Sequence, residues 1–148
     1  MADIRAFPDR PFLAVSAAII RDGRVLIARR ARPPAQNLYT LPGGVVEAGE
    51  TLIEAVTREI REETTLAIEP VALAGHREAI VRAPDGRVER HFVILCFAAR
   101  WVAGEATPNE ELAELRWLVP SELAGLKTTE GLADIVAAAF ERVAEAAR

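Results

Sequence analysis

Apolar positions recur along this chain in two rhythms. Residues 12–20 (FLAVSAAII) and 24–28 (RVLIA) are dense β-favouring runs joined by Arg21-Asp22-Gly23. Asp-Gly between such runs predicts a hairpin, because both residue types accept positive φ. Two longer strands are predicted over 71–82 and 88–102, separated by the turn residues Ala83-Pro84-Asp85-Gly86, with a shorter strand at Leu115–Leu118. A helical rhythm appears at 51–64, where Ile53, Val56 and Ile60 share a face and Thr51 and Glu54 have capping-box spacing. It returns at 130–147, with Leu132, Ile135, Val136, Ala139, Phe140 and Val143 at helical spacing. Pro120-Ser121-Glu122-Leu123 predicts a proline-started turn of helix, and Leu41-Pro42-Gly43-Gly44 breaks the chain before the first helix. Mixed strands around one central helix, closed by a second, predict an α/β sandwich. At 148 residues, the chain is expected to form a single domain over 1–148.

Composition narrows the function classes. With 51% hydrophobic and 27% charged residues, the chain can bury a core. A net charge of −4 argues against general affinity for nucleic acid or anionic membrane. The single cysteine, Cys96, lies in the apolar run Phe92–Phe97, so it predicts an inert thiol and no disulfide. No export signal or long apolar span is evident in the sequence, which makes the cytoplasm the expected compartment.

The densest chemistry is Arg58-Glu59-Ile60-Arg61-Glu62-Glu63. At about 100° per residue, Glu62 and Glu63 flank Glu59 by roughly 60° and 40°. Three carboxylates thus form one stripe beside the apolar one. Like charges at such spacing repel, and burial near a core raises their pKa values unless a cation lies among them. Clustered hard oxygen ligands on a rigid helix suit Mg²⁺ or Mn²⁺.

Upstream context sharpens this reading. Gly44, five residues, Glu50, seven residues and then Arg58-Glu59-Ile60-x-Glu62-Glu63 resembles the Nudix box, G-x5-E-x7-R-E-U-x-E-E-x-G-U, with U aliphatic. Six exact matches arise by chance at roughly one in ten million per start position. Tyr39-Thr40-Leu41-Pro42-Gly43-Gly44 also resembles the family's W-x-L-P-G-G lead-in, and the likeness covers residues 12–126. One position departs: Thr65 stands where the family has glycine. If that residue ends the helix in a left-handed conformation, a β-branched side chain there costs on the order of 1–2 kcal/mol.

The resemblance implies an α/β/α sandwich with a mixed central sheet, a catalytic loop–helix–loop and a C-terminal helix. It also implies a hydrolase that cuts a diphosphate linkage in a small nucleotide substrate with Mg²⁺ or Mn²⁺. Glu59, Glu62 and Glu63 are then the metal ligands, joined by the Gly43 carbonyl. Arg58 orients Glu50 or a ligand glutamate, and Glu50 supports the site. The general base is a box glutamate or a carboxylate of the segment Pro108–Glu114, with Glu111 chosen from it. Arg29, Arg30, His91 and Tyr39 are candidate substrate contacts, with Arg32 and Phe92 behind them. Two substrates stay open: ADP-ribose, giving AMP and ribose 5-phosphate, and oxidised or non-standard nucleoside triphosphates. A nucleotide-sensing module is a third reading, disfavoured by four intact box glutamates. Homodimers are common in the family.

Overall fold

In the computed structural model, which describes residues 4–147, the chain folds into a seven-stranded mixed sheet with a helix on each face. In chain order the strands are β1 (Phe12–Arg21), β2 (Arg24–Arg30), β3 (Tyr39–Thr40), β4 (Gly43–Val45), β5 (Ala67–Arg82), β6 (Val88–Ala103) and β7 (Leu112–Leu118). The helices are α1 (Leu52–Thr64) and α2 (Leu132–Ala146), with a 3₁₀ turn at Pro120–Gly125. The main path of the sheet runs β3-β2-β1-β6-β5, with β7 beside β2 and β4 beside β1.

Alternation along β1 separates the two cores. Val15, Ala17 and Ile19 face α1 with Leu26, Val56, Ile60 and Phe97. Ala18 faces α2 with Ile27, Ala98, Leu132, Ile135 and Val136. Each core is an apolar layer between sheet and helix, as period-2 and period-3.6 patterns require when they meet. Cys96 is buried at 2% exposure in the α2 layer.

The Asp22-Gly23 turn adopts the positive φ values its residues favour, 50° and 75°. Thr51 caps α1 through a full capping box with Glu54. Three expectations need correction. Ile53 is 49% exposed, because Leu52 is the first-turn residue that packs against the core, while Ala55, Val56, Ile60 and Thr64 are buried. Strand β5 begins at Ala67 and runs through Pro70, which an edge strand tolerates at a register shift. Strand β7 begins at Leu112, so Glu114 belongs to a strand and not to the preceding loop.

The edge of β1 is shared, and this opens the molecule. Ile20 and Arg21 pair with β2, whereas Ala14–Ser16 pair with β4. At that fork the C-terminal half of α1 meets the end of the sheet. Among the described residues, no helix is long and apolar enough to cross a membrane.

Candidate active site

A cavity of about 1070 Å³ occupies the fork. Its floor is the sheet face carrying Ser16, Phe92, Ile94 and Arg77, and its rim carries Gly43, Gly44, Glu59, Glu62, Glu63 and Glu111. Two glycines let the chain pass this closely between β1 and α1. A Cβ on Gly43 would collide with the Val15 carbonyl, and one on Gly44 with the Glu59 carboxylate.

Arg58 organises the carboxylates. Its Nε and Nη2 donate to Glu50 at 2.6 and 2.8 Å, and its Nη1 donates to Glu59 and Glu62 at 2.8 and 3.1 Å. Nη2 also reaches the Val45 carbonyl at 3.2 Å. The hydrogen bonds from Arg58 hold the Glu50 carboxyl far down, at about 2, helped by its bond from the Glu47 amide. Glu50 therefore stays ionised and locks Arg58 in place.

Glu63 is in the opposite condition. Burial pushes its carboxyl up to about 8, with Glu59 and Glu111 adding repulsion. The Gly43 amide at 3.1 Å and the nearby Arg30 charge oppose that rise. Burial also raises Glu59, against the pull of Arg58.

Among the described residues no three acidic groups converge into a ready-made cation cage. The donor set nevertheless fits a hard divalent ion. One oxygen of each glutamate is held, Glu59 Oε1 and Glu62 Oε2 by Arg58 and Glu63 Oε2 by the Gly43 amide. The second oxygen of each remains the ligand-capable one. A carboxyl held neutral by burial beside two others is also the group that an added cation would ionise.

Residues 10–139 match the family described as the NUDIX domain. The chain belongs to the NUDIX family. An ADP-ribose pyrophosphatase of Methanocaldococcus jannaschii is 35% identical over 104 residues, 70% of this chain and 59% of that protein. The chain thus spans less than two thirds of that relative. A putative 8-oxo-dGTP diphosphatase 2 of Mycobacterium tuberculosis is 34% identical over 112 residues, covering 75% of each chain. The solved MutT NUDIX hydrolase from Burkholderia pseudomallei superposes with a TM-score of 0.69 at 30% identity, over 91% of this chain and 99% of that one.

The NUDIX fold gathers some of the sequence candidates and separates others. Glu59, Glu62, Glu63, Gly43, Glu111 and Arg30 all line the cavity, as do Arg32 and Phe92. Arg29, His91 and Tyr39 do not. Consecutive strand residues point to opposite faces, so His91 cannot join Phe92, and the β2–β7 pairing slips between Arg29 and Arg30. Arg29 instead donates to Glu114 at 3.3 Å and to Asn37 at 3.2 Å, and the Tyr39 hydroxyl donates to Glu114 at 3.0 Å. Glu110 pairs with Arg32 at 3.5 Å.

Sequence reasoning missed Asn109. Its side-chain oxygen accepts from the Glu111 and Leu112 amides at 2.8 and 2.9 Å, and its Nδ2 donates to the Glu63 carbonyl. One side chain thereby ties the Glu111 loop to the end of α1. The Pro-Asn dipeptide was the available signal, since Asn after a loop proline favours such local turns.

Proposed function

We propose that this NUDIX protein hydrolyses the diphosphate linkage of ADP-ribose to AMP and ribose 5-phosphate. What carries the reading is the cavity that brings Glu59, Glu62, Glu63, Glu111 and Arg30 to one end of the sheet. Its volume of about 1070 Å³ accommodates a nucleotide with a second sugar. The likeness to an archaeal ADP-ribose pyrophosphatase supports the choice of substrate.

In this reading Glu59, Glu62 and Glu63 hold Mg²⁺ or Mn²⁺, with the Gly43 carbonyl as a further ligand. Such an ion shields phosphate charge and acidifies a bound water. The chain's own groups do the rest. Arg58 keeps Glu59 and Glu62 in position, anchored through Glu50. Arg30 supplies positive charge beside Glu63, where the diphosphate lies. Glu111 takes the proton from the attacking water at its carboxylate, and Asn109 holds its backbone toward the end of α1. The P–O–P bridge breaks, one phosphate leaving as AMP and the other as ribose 5-phosphate.

The likeness to a putative 8-oxo-dGTP diphosphatase supports a second reading, pyrophosphate release from a nucleoside triphosphate. A panel of ADP-ribose, dGTP and 8-oxo-dGTP, assayed with Mg²⁺ and with Mn²⁺, decides between them. ADP-ribose is expected to give the highest kcat/KM, with AMP and ribose 5-phosphate as products. A preference of tenfold or more for either triphosphate would overturn the first reading. EDTA is expected to abolish turnover and added Mg²⁺ to restore it; undiminished turnover in chelator would remove the metal assignment.

A further inference from the structure

Arg77 is among the charged side chains of the cavity to which the diphosphate reading assigns no work. Arg77, on β5, is half-buried and lines the cavity floor opposite Ile94. Among the described residues its guanidinium makes no ion pair and no hydrogen bond. Few arginines are left so, because a half-desolvated guanidinium without a partner loses several hydrogen bonds to water and gains none in return.

Its surroundings make an anion the missing partner. Strands β1 and β6 separate Arg77 from Arg30 on β2, yet both line the same cavity and the Arg30 charge bears on Arg77. Burial, and then Arg30, weaken Arg77's hold on its proton, while Cys96 and Glu130 pull the other way. Glu130 lines the same cavity, but among the described residues it forms no ion pair with Arg77. Arg30 gives its Nε to the Pro34 carbonyl at 2.7 Å, which leaves its terminal amino groups for a ligand. Beneath them on β1, Ser16 is 6% exposed, lines the cavity, and its Oγ has no well-formed hydrogen bond among the described residues. Glu63, Arg30 and Arg77 line the same cavity, and the Arg30 charge acts on both of the others.

We infer that Arg77 is a substrate-positioning residue that, with Arg30, binds the diphosphate oxygens turned away from the carboxylates. This rests on the diphosphate-cleaving reading above and extends it. The carboxylate rim, bridged by cations, would hold one side of the diphosphate and the two guanidiniums the other. Planar guanidinium donors match phosphate oxygens two at a time, which orients as well as attracts. Arg77 stands away from the reacting carboxylates, so its contribution is to binding more than to the chemical step.

The test uses the full chain and inorganic pyrophosphate as probe, titrated calorimetrically in EDTA, so that no metal chemistry enters. The parent chain is expected to bind. Arg77→Gln should weaken binding by about tenfold or more, Arg77→Lys should recover part of the loss, and Arg82→Gln, on the same strand but outside the cavity, should match the parent. Thermal melts check that each variant is folded. In hydrolysis, Arg77→Gln should raise KM by about tenfold with kcat within about threefold. Absence of pyrophosphate binding by the parent, or equal binding by Arg77→Gln, would overturn the inference and leave the substrate reading standing. Arg77-dependent binding of pyrophosphate without ADP-ribose hydrolysis would sink the substrate reading and leave the inference standing.

Discussion

Two arginines serve this cavity under opposite conditions, Arg58 from behind its carboxylates and Arg77 from its lining. Arg58 donates to Glu50, Glu59, Glu62 and the Val45 carbonyl, and is held firmly protonated by them. Arg77 has no such bond among the described residues, although it is also partly buried. The difference separates structure from readiness. A guanidinium with every donor engaged fixes other groups in place, whereas one kept half-dry and unengaged is prepared for a ligand that the chain does not itself supply.

The widest gap between the two ends of the cavity should appear in kcat. Glu63→Gln keeps shape and the bond from the Gly43 amide but removes ligand charge. It is expected to lower kcat by about a hundredfold or more, the scale seen when one key electrostatic group is lost. Steady-state kinetics beside Arg77→Gln tests the contrast, since a loss below about threefold for Glu63→Gln would place the ions elsewhere.

Stability should divide the two arginines next. Arg58→Met strips three glutamates of their shared donor and is expected to cost about 2 kcal/mol. Arg77→Met removes a charge with no bonds to lose and should stay within about 0.5 kcal/mol of the parent. Urea melts compare them; equal costs would mean that the two guanidiniums are equally engaged in the fold.

The raised Glu63 carboxyl gives a smaller, signed effect. Between the ordinary glutamate value of 4.5 and about 8, the unfolded chain loses this proton while the folded chain keeps it. Folding therefore gains stability from Glu63 that is complete below pH 4.5 and gone above pH 8. In EDTA, Glu63→Gln should gain on the parent by at least about 3 °C in Tm between pH 5 and pH 8.5, given about 2–4 °C per kcal/mol for a domain of this size. A pH-independent difference would mean that Glu63 is not held neutral.

The smallest effect is expected at the end of α1. Thr65 is left-handed, with φ 65°, the conformation the resemblance implied for a glycine. Thr65→Gly relieves that strain but forfeits the hydroxyl's bond to the Glu105 carbonyl at 2.9 Å. These terms nearly cancel, each on the order of 1 kcal/mol, so a gain of about 0.5 kcal/mol is expected in a thermal melt. A clear loss would show that the hydrogen bond outweighs the backbone strain.

Local physics was legible in the sequence, and tertiary choice was not. The capping box at Thr51, the Asp22-Gly23 turn and the carboxylate stripe all depend on neighbours a few residues away, whereas the conformation of Thr65 stayed open until the fold showed it. Arg29 and Arg30 looked equivalent, because which face of β2 borders the cavity is decided by β1, β4 and α1. Tyr39 and Arg29 found the same partner in Glu114, 75 and 85 positions away. Arg77 carries no motif at all. Its significance lies in what fails to surround it, and only the folded chain shows that.

Strand β5 has one more consequence. It closes one end of the sheet's main path, and a flat strand of 16 residues in that place would invite another chain to add on through its open backbone groups. The pairing of β5 with β6 instead slips at Ala67/Ile68, Pro70/Ala72, Leu73/Gly75 and Val81/Arg82. The longest regular stretch, from Gly75 to Val81, carries His76, Arg77 and Glu78. Bulges twist an edge away from a flat template, proline deletes a donor, and charge discourages stacking. The strand that presents Arg77 to the cavity is thereby protected from self-association during folding, when such edges are most exposed.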